Sequence, residues 1–75
     1  MQKLTPREKD IYLFILDYRE KHGYSPSIRD ICKGVYISQT RGVLLHIERL
    51  IEKGYIDYTP KVARSIVIKK ESANL

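Results

Sequence analysis

The sequence predicts a mostly α domain, three helices followed by a small two-stranded β-hairpin. Three observations lead there. Thr5-Pro6-Arg7-Glu8 and Ser27-Ile28-Arg29-Asp30 each pair a capping hydroxyl with an acid three residues on, and each opens an apolar run at helical spacing. A third run, Val43, Ile47, Leu50 and Ile51, closes at Lys53-Gly54, a basic last turn followed by a stop glycine. Beyond it the apolar period falls from about 3.6 to 2, the spacing of strands.

The first helix starts at the Thr5 cap, with Pro6 at the first helical position, where its missing N–H costs nothing. Ile11, Phe14, Ile15 and Tyr18 make one stripe, widened by Leu13 and Leu16, and Gly23 stops the helix. Pro26 pushes Ser25 away from helical angles, so Tyr24-Ser25-Pro26 reads as a connector. The second helix carries Ile28, Ile31, Cys32 and Val35 on one face, and Gly34 weakens its last turn. Residues 35–38 form a tight turn, and the third helix runs from Gln39 to about Lys53. Tyr55 to Thr59 and Ser65 to Lys69 are the strand-like runs, joined by Pro60-Lys61-Val62-Ala63-Arg64. In the second run Ile66 and Ile68 share a face and Val67 points away. Residues 1–70 are expected to form one domain, and 71–75 a frayed tail. Helix, helix, turn, helix, hairpin is the layout of a winged helix-turn-helix.

Seventy-five residues are too few for two catalytic lobes, and 43% hydrophobic content is ordinary for a folded chain. The single cysteine, Cys32, cannot form an internal disulfide. With His22 and His46 it still falls short of the four ligands of structural zinc, so no metal or cofactor is expected. No apolar run approaches the roughly 18 residues of a spanning helix, and the residues after Met1 do not resemble a signal peptide. A soluble, cytoplasmic chain without membrane partners is the expectation.

Catalysis needs a nucleophile or metal with a base held close to it. Cys32 lies on an apolar stripe and reads as a small core residue. His22 sits at the carbonyl end of the first helix, and His46 borders the inner face of the third as a packing or hydrogen-bonding residue. The four glycines are isolated, so there is no phosphate loop. The reading is a non-enzyme with no catalytic residues.

Charge distribution says more than the net +5. Residues 1–24 are nearly balanced, with five basic and four acidic side chains. Arg29, Lys33 and Arg41 face only Asp30 in residues 25–42, and Lys61, Arg64, Lys69 and Lys70 face only Glu71 from residue 60 onward. The excess gathers at the start of the third helix and at the hairpin, the two parts of a winged helix that approach duplex DNA. A merely solvated basic surface would give the same total; the coincidence of charge with architecture favours DNA.

With Val43, Ile47 and Leu50 inward, Gln39, Arg41, Gly42, Leu44 and Leu45 project outward near the amino end of the third helix. Gln39 suits an adenine edge, and Arg41 either a guanine or a phosphate. Gly42 lets the helix sink toward the groove floor. Ser38 and Thr40 are short hydroxyl donors for phosphate, aided by the positive end of the helix dipole. Ser27, Arg29, Lys61 and Arg64 complete the expected backbone contacts. Leu44 and Leu45 fit thymine methyls, or an apolar contact with another protein; the second option makes a winged-helix interaction module the competing reading. RNA fits less well, because a helix cannot enter the narrow major groove of an RNA duplex.

Leu4-Thr5-Pro6-Arg7-Glu8, Gly23-Tyr24-Ser25-Pro26-Ser27-Ile28-Arg29-Asp30-Ile31, the stretch from His46 to Ile56, and Thr59-Pro60-Lys61-Val62-Ala63-Arg64-Ser65-Ile66 together resemble the amino-terminal DNA-binding domain of LexA repressors. The resemblance implies a winged helix that binds a palindromic operator as a homodimer, with the third helix in the major groove of double-stranded DNA, in the bacterial or phage nucleoid. It places base-contacting positions on Gln39, Arg41, Gly42, Leu44 and Leu45. The two leucines stand where the family often has polar or acidic residues, and Tyr36 where a glycine usually closes the turn. LexA repressors resemble two-part proteins whose second domain dimerises and cleaves itself with a serine and a lysine. This length leaves no room for that domain, so the chain is either a fragment or a free-standing regulator.

Overall fold

The computed structural model describes residues 3–69. The expected boundary at residue 70 and the 71–75 tail lie outside them. In chain order come α1 (Pro6–His22), α2 (Ile28–Val35), α3 (Thr40–Glu52), β1 (Ile56–Asp57) and β2 (Val67–Ile68).

The helix boundaries follow local chemistry. The Thr5 side chain accepts from the Glu8 amide at 3.2 Å, and a Glu8 carboxylate oxygen accepts from the Thr5 amide at 3.0 Å, closing the α1 capping box. Ser27 and Asp30 repeat the arrangement on α2, at 3.0 and 3.1 Å. Each box satisfies amides that an uncapped helix start would leave open. Gly23 ends α1 in the left-handed conformation at φ 79°. Tyr36 does the same for α2, at φ 59° and ψ 42°, its N–H donating to the Cys32 carbonyl. Gln39 flanks α3 without a side-chain cap, and its carbonyl accepts from the Gly42 amide at 3.1 Å.

All three helices pack on one another, and the hairpin docks against α3 through β1. The core joins Ile11, Tyr12 and Ile15 of α1, Ile31 and Val35 of α2, and Val43, Ile47 and Leu50 of α3 to Tyr55, Ile56 and Ile66. Each large aliphatic removed from water contributes about 1.5–3 kcal/mol. Tyr12 meets Tyr55 edge-on, with centroids 5.2 Å apart at 69°.

The buried face of α1 is rotated from the expected stripe. Glu8, Ile11, Tyr12 and Ile15 are its buried residues, Phe14 and Tyr18 lie at its margin, and Leu13 is exposed rather than widening it. Glu8, 1% exposed, is tolerated on this face because Lys53 from the end of α3 neutralises it. Gly34 also has a different reason from the one expected. A methyl group there would fall 2.1 Å from Phe14 Cε1, so the glycine lets α1 and α2 approach.

The hairpin is antiparallel, pairing Ile56 with Ile68 and Asp57 with Val67. Its ladder is shorter than the strand-like runs expected. At Thr59 both backbone groups are taken by the Ser65 hydroxyl, at 3.0 and 2.9 Å, and Lys61 and Arg64 turn the tip with φ of 66° and 55°. Among the described residues no helix is long and apolar enough to cross a membrane.

Candidate nucleic-acid interface

The amino end of α3 stands clear of the body. Ser38, Gln39, Thr40 and Arg41 are exposed, Leu44 is 37% exposed and Leu45 50%. The opposite face, Val43, Ile47 and Leu50, is wholly buried, which fixes the rotation of the helix. Gly42 departs from its expected role. Its Cβ direction points toward Ile37, where a methyl group would lie 3.1 Å from Cγ2, so its smallness seats the turn against α3 rather than opening the outer face.

The wing lies beside this projecting end. Ser27 and Arg29 at the start of α2, Thr40 and Leu44 of α3, and Lys61 and Arg64 of the hairpin tip line a single open groove. Six residues singled out in the sequence, spread over three elements, are thus brought together. Tyr58, Val62 and Ala63 share the groove and were not anticipated. Their only sequence signal was membership of the loop and its flanking strand.

Lys61 projects from the tip with its side chain exposed. Arg64, expected from the sequence as a backbone contact, is also engaged within the fold. Its Nη1 donates to Asp30 Oδ2 at 3.2 Å, to the Tyr18 hydroxyl at 3.3 Å and to the Ser25 carbonyl at 3.1 Å. Its guanidinium carbon sits 4.7 Å from the Tyr24 ring centroid. The Ser25 hydroxyl donates back to the Arg64 carbonyl at 2.8 Å. Arg64 therefore pins the tip to the start of α2 while its chain lines the groove. The left-handed backbone at Arg64 is held by this two-way clamp.

Asp30 is the hub of that clamp. Hydrogen bonds to its carboxylate, led by the Ser27 amide and followed by the Ser27 and Tyr18 hydroxyls, outweigh partial burial and hold it below the usual carboxylate range. The Arg64 charge adds to the same effect, and the Tyr18 hydrogen bond in turn raises the Arg64 titration. No sequence periodicity could reveal this set, because its members lie 34 and 46 residues apart along the chain.

At the far end of α3, burial works to raise Glu8. The hydrogen bond from Lys53, the Thr5 amide and the nearby positive charges outweigh it, leaving Glu8 below its ordinary value. Lys53 also donates to the Lys3 carbonyl at 2.9 Å. That cation is consumed by the fold and is not part of the groove.

A projecting helix end without a side-chain cap, flanked by a cationic loop, offers base-reading side chains and phosphate partners on one surface. Comparison with known proteins agrees. A family model described as LexA DNA binding domain matches residues 1–65. The chain is 46% identical over 70 residues to a LexA repressor of Thermosipho africanus, covering 93% of this chain and 35% of that protein. It is 41% identical over 75 residues to a LexA repressor of Thermosipho melanesiensis, covering 100% of this chain and 37% of the relative. A LexA repressor of Roseiflexus sp. is 43% identical over 67 residues, covering 89% and 31%. The chain thus spans about a third of the length of these relatives. On its architecture, its exposed α3 and the match across most of its length, the chain belongs to the LexA DNA-binding domain family.

Proposed function

We propose that the chain binds double-stranded DNA sequence-specifically and acts as the operator-reading part of a transcriptional repressor. α3 enters the major groove with Gln39, Arg41, Leu44 and Leu45 toward base edges, and Gly42 allows the close seating of the turn behind them. Ser27, Arg29, Ser38, Thr40 and Lys61 engage phosphates on either side, and Arg64 contributes by holding the tip that carries Lys61. The observation that carries this reading is the shared groove: the start of α2, the start of α3 and the wing tip converge on one face. The relatives are named LexA repressors, which supports the regulatory role.

A single domain of this size covers one half-site, so a homodimer on a palindromic operator is the arrangement that gives enough contact for tight binding. Work in the cytoplasm, on the nucleoid of a bacterium or phage, follows from the same reading. Selection of duplexes from a random pool tests all of this at once. An enriched palindrome fixes function, symmetry and half-site spacing; a pool that stays random through repeated rounds sinks the proposal.

A second reading rests on the two adjacent exposed leucines of α3, which would anchor a protein partner instead. Leu45→Asp separates the two. On the DNA reading it weakens duplex binding; on the partner reading it leaves duplex binding intact.

A further inference from the structure

Tyr36 is the most exposed large apolar side chain described, at 91%, although aromatic rings of this size normally find cover. It also closes α2 with a left-handed backbone that side chains other than glycine, asparagine and aspartate rarely adopt. Among the described residues, no hydrogen bond or ring contact engages its hydroxyl or its ring. The residue borders a second open groove, in which Arg29 and Lys33 of α2 form one edge and Ser38 and Thr40 the other, over a floor that includes Ile37. No wing residue and no acidic residue lines it. Arg29 and Thr40 line both this groove and the one beneath the wing, so the two adjoin at these residues.

We propose that Tyr36 and Lys33 form a second grip on the duplex, on the flank of α3 opposite the wing, and that the occupant of this groove is the sugar-phosphate backbone of the same DNA. This rests on the DNA-binding reading above and extends it. Two cations without an opposing carboxylate favour a polyanion. The hydroxyls of Ser38, Thr40 and Tyr36 are donors of the kind that meet phosphate oxygens. The tyrosine ring, with only two side-chain torsions to fix, packs on the apolar face of a deoxyribose at small entropic cost. Wing on one side and Tyr36 on the other then straddle the reading helix.

The test uses the duplex enriched from the random pool, titrated with the wild-type chain and with Tyr36→Phe, Tyr36→Gly, Lys33→Ala and Arg41→Ala at several salt concentrations. Tyr36→Phe is expected to weaken binding about threefold to tenfold, by loss of one hydrogen bond, alike for all sequences and with an unchanged salt slope. Lys33→Ala should lower the slope by roughly 0.9, one phosphate's share. Tyr36→Gly should bind at least as weakly as Tyr36→Phe yet melt no lower than wild type, since glycine accepts the positive φ freely. A purely structural role would instead move stability and affinity together. Wild-type affinity in both Tyr36 variants, with Arg41→Ala still relaxing base preference, overturns this inference and leaves the DNA-binding reading standing. Unchanged affinity with altered sedimentation of Tyr36→Gly would assign the groove to a second copy of the chain and overturn it equally. Failure of every duplex to bind removes both.

Discussion

The guanidinium of Arg64 and the carboxylate of Asp30 lie 3.2 Å apart, joining the wing tip to the capping box of α2. The same carboxylate oxygen accepts from the Ser27 amide and the Tyr18 hydroxyl, so one acid ties together α1, α2 and the wing. This makes Arg64 and Asp30 a pair whose effects on DNA binding should be coupled. Arg64→Ala and Asp30→Asn are each expected to weaken binding, and the double variant to be little worse than either. If Arg64 met phosphate on its own account, Asp30→Asn would instead tighten binding by removing a competing negative charge. A double-mutant cycle on duplex affinity decides between them.

Arg41 and Lys61 occupy different parts of the surface and should fail differently. Arg41→Ala is expected to relax base preference at one position of each half-site, at about 1–3 kcal/mol. Lys61→Ala should weaken all duplexes alike and reduce the salt slope by roughly 0.9. Titrations against the selected duplex and a scrambled one, each across a salt series, read both quantities.

Glu8 and Lys53 join the start of α1 to the end of α3 across 45 residues of chain. Lys53→Met strands a carboxylate that is 1% exposed, and stability at pH 7 should drop by about 3 kcal/mol. Adding Glu8→Gln should return much of that loss, because the amide keeps the capping acceptor without the buried charge. Acid should act on the native chain through the same groups. Glu8 and Asp30 both titrate lower in the folded state than in the unfolded chain. Their stabilisation is therefore complete above the unfolded values, near pH 4, and fades as pH falls below them through the lowered folded values. Melting temperature should hold steady down to about pH 5 and then decline, with a shallower acid limb in Asp30→Asn.

Gly34 tests the packing of α1 on α2. On an exposed helix, glycine to alanine gains about 1 kcal/mol. Here the added methyl group meets the Phe14 ring at 2.1 Å, and Gly34→Ala should destabilise by about 1–3 kcal/mol. Phe14→Leu in the Gly34→Ala background should recover part of the loss in a urea titration. Stabilisation by Gly34→Ala alone would show that the contact relaxes freely.

Much of this molecule was determined by the sequence itself. Helix starts are local events, and Thr5 with Glu8, and Ser27 with Asp30, carry their partners three residues away. The helix end at Gly23 lies where backbone geometry, rather than distant packing, sets the stop, whereas the left-handed stop at Tyr36 was not marked by its residue type. The outward placement of Gln39, Arg41, Leu44 and Leu45 on α3 was legible too, though not that of Gly42, because burying Val43, Ile47 and Leu50 leaves the helix one orientation. Tertiary structure alone decided the rest, since each remaining feature joins groups far apart along the chain. A periodicity argument takes Glu8 for a surface acid until Lys53 arrives to neutralise it. Gly34 looks like a weak helix residue until Phe14 crosses it. Arg64 reads from the sequence only as a backbone-contacting cation, yet the fold places Asp30, Ser25 and two tyrosine rings around it. Apolar spacing records which side of an element turns from water; it holds no record of which charge a distant segment will bring.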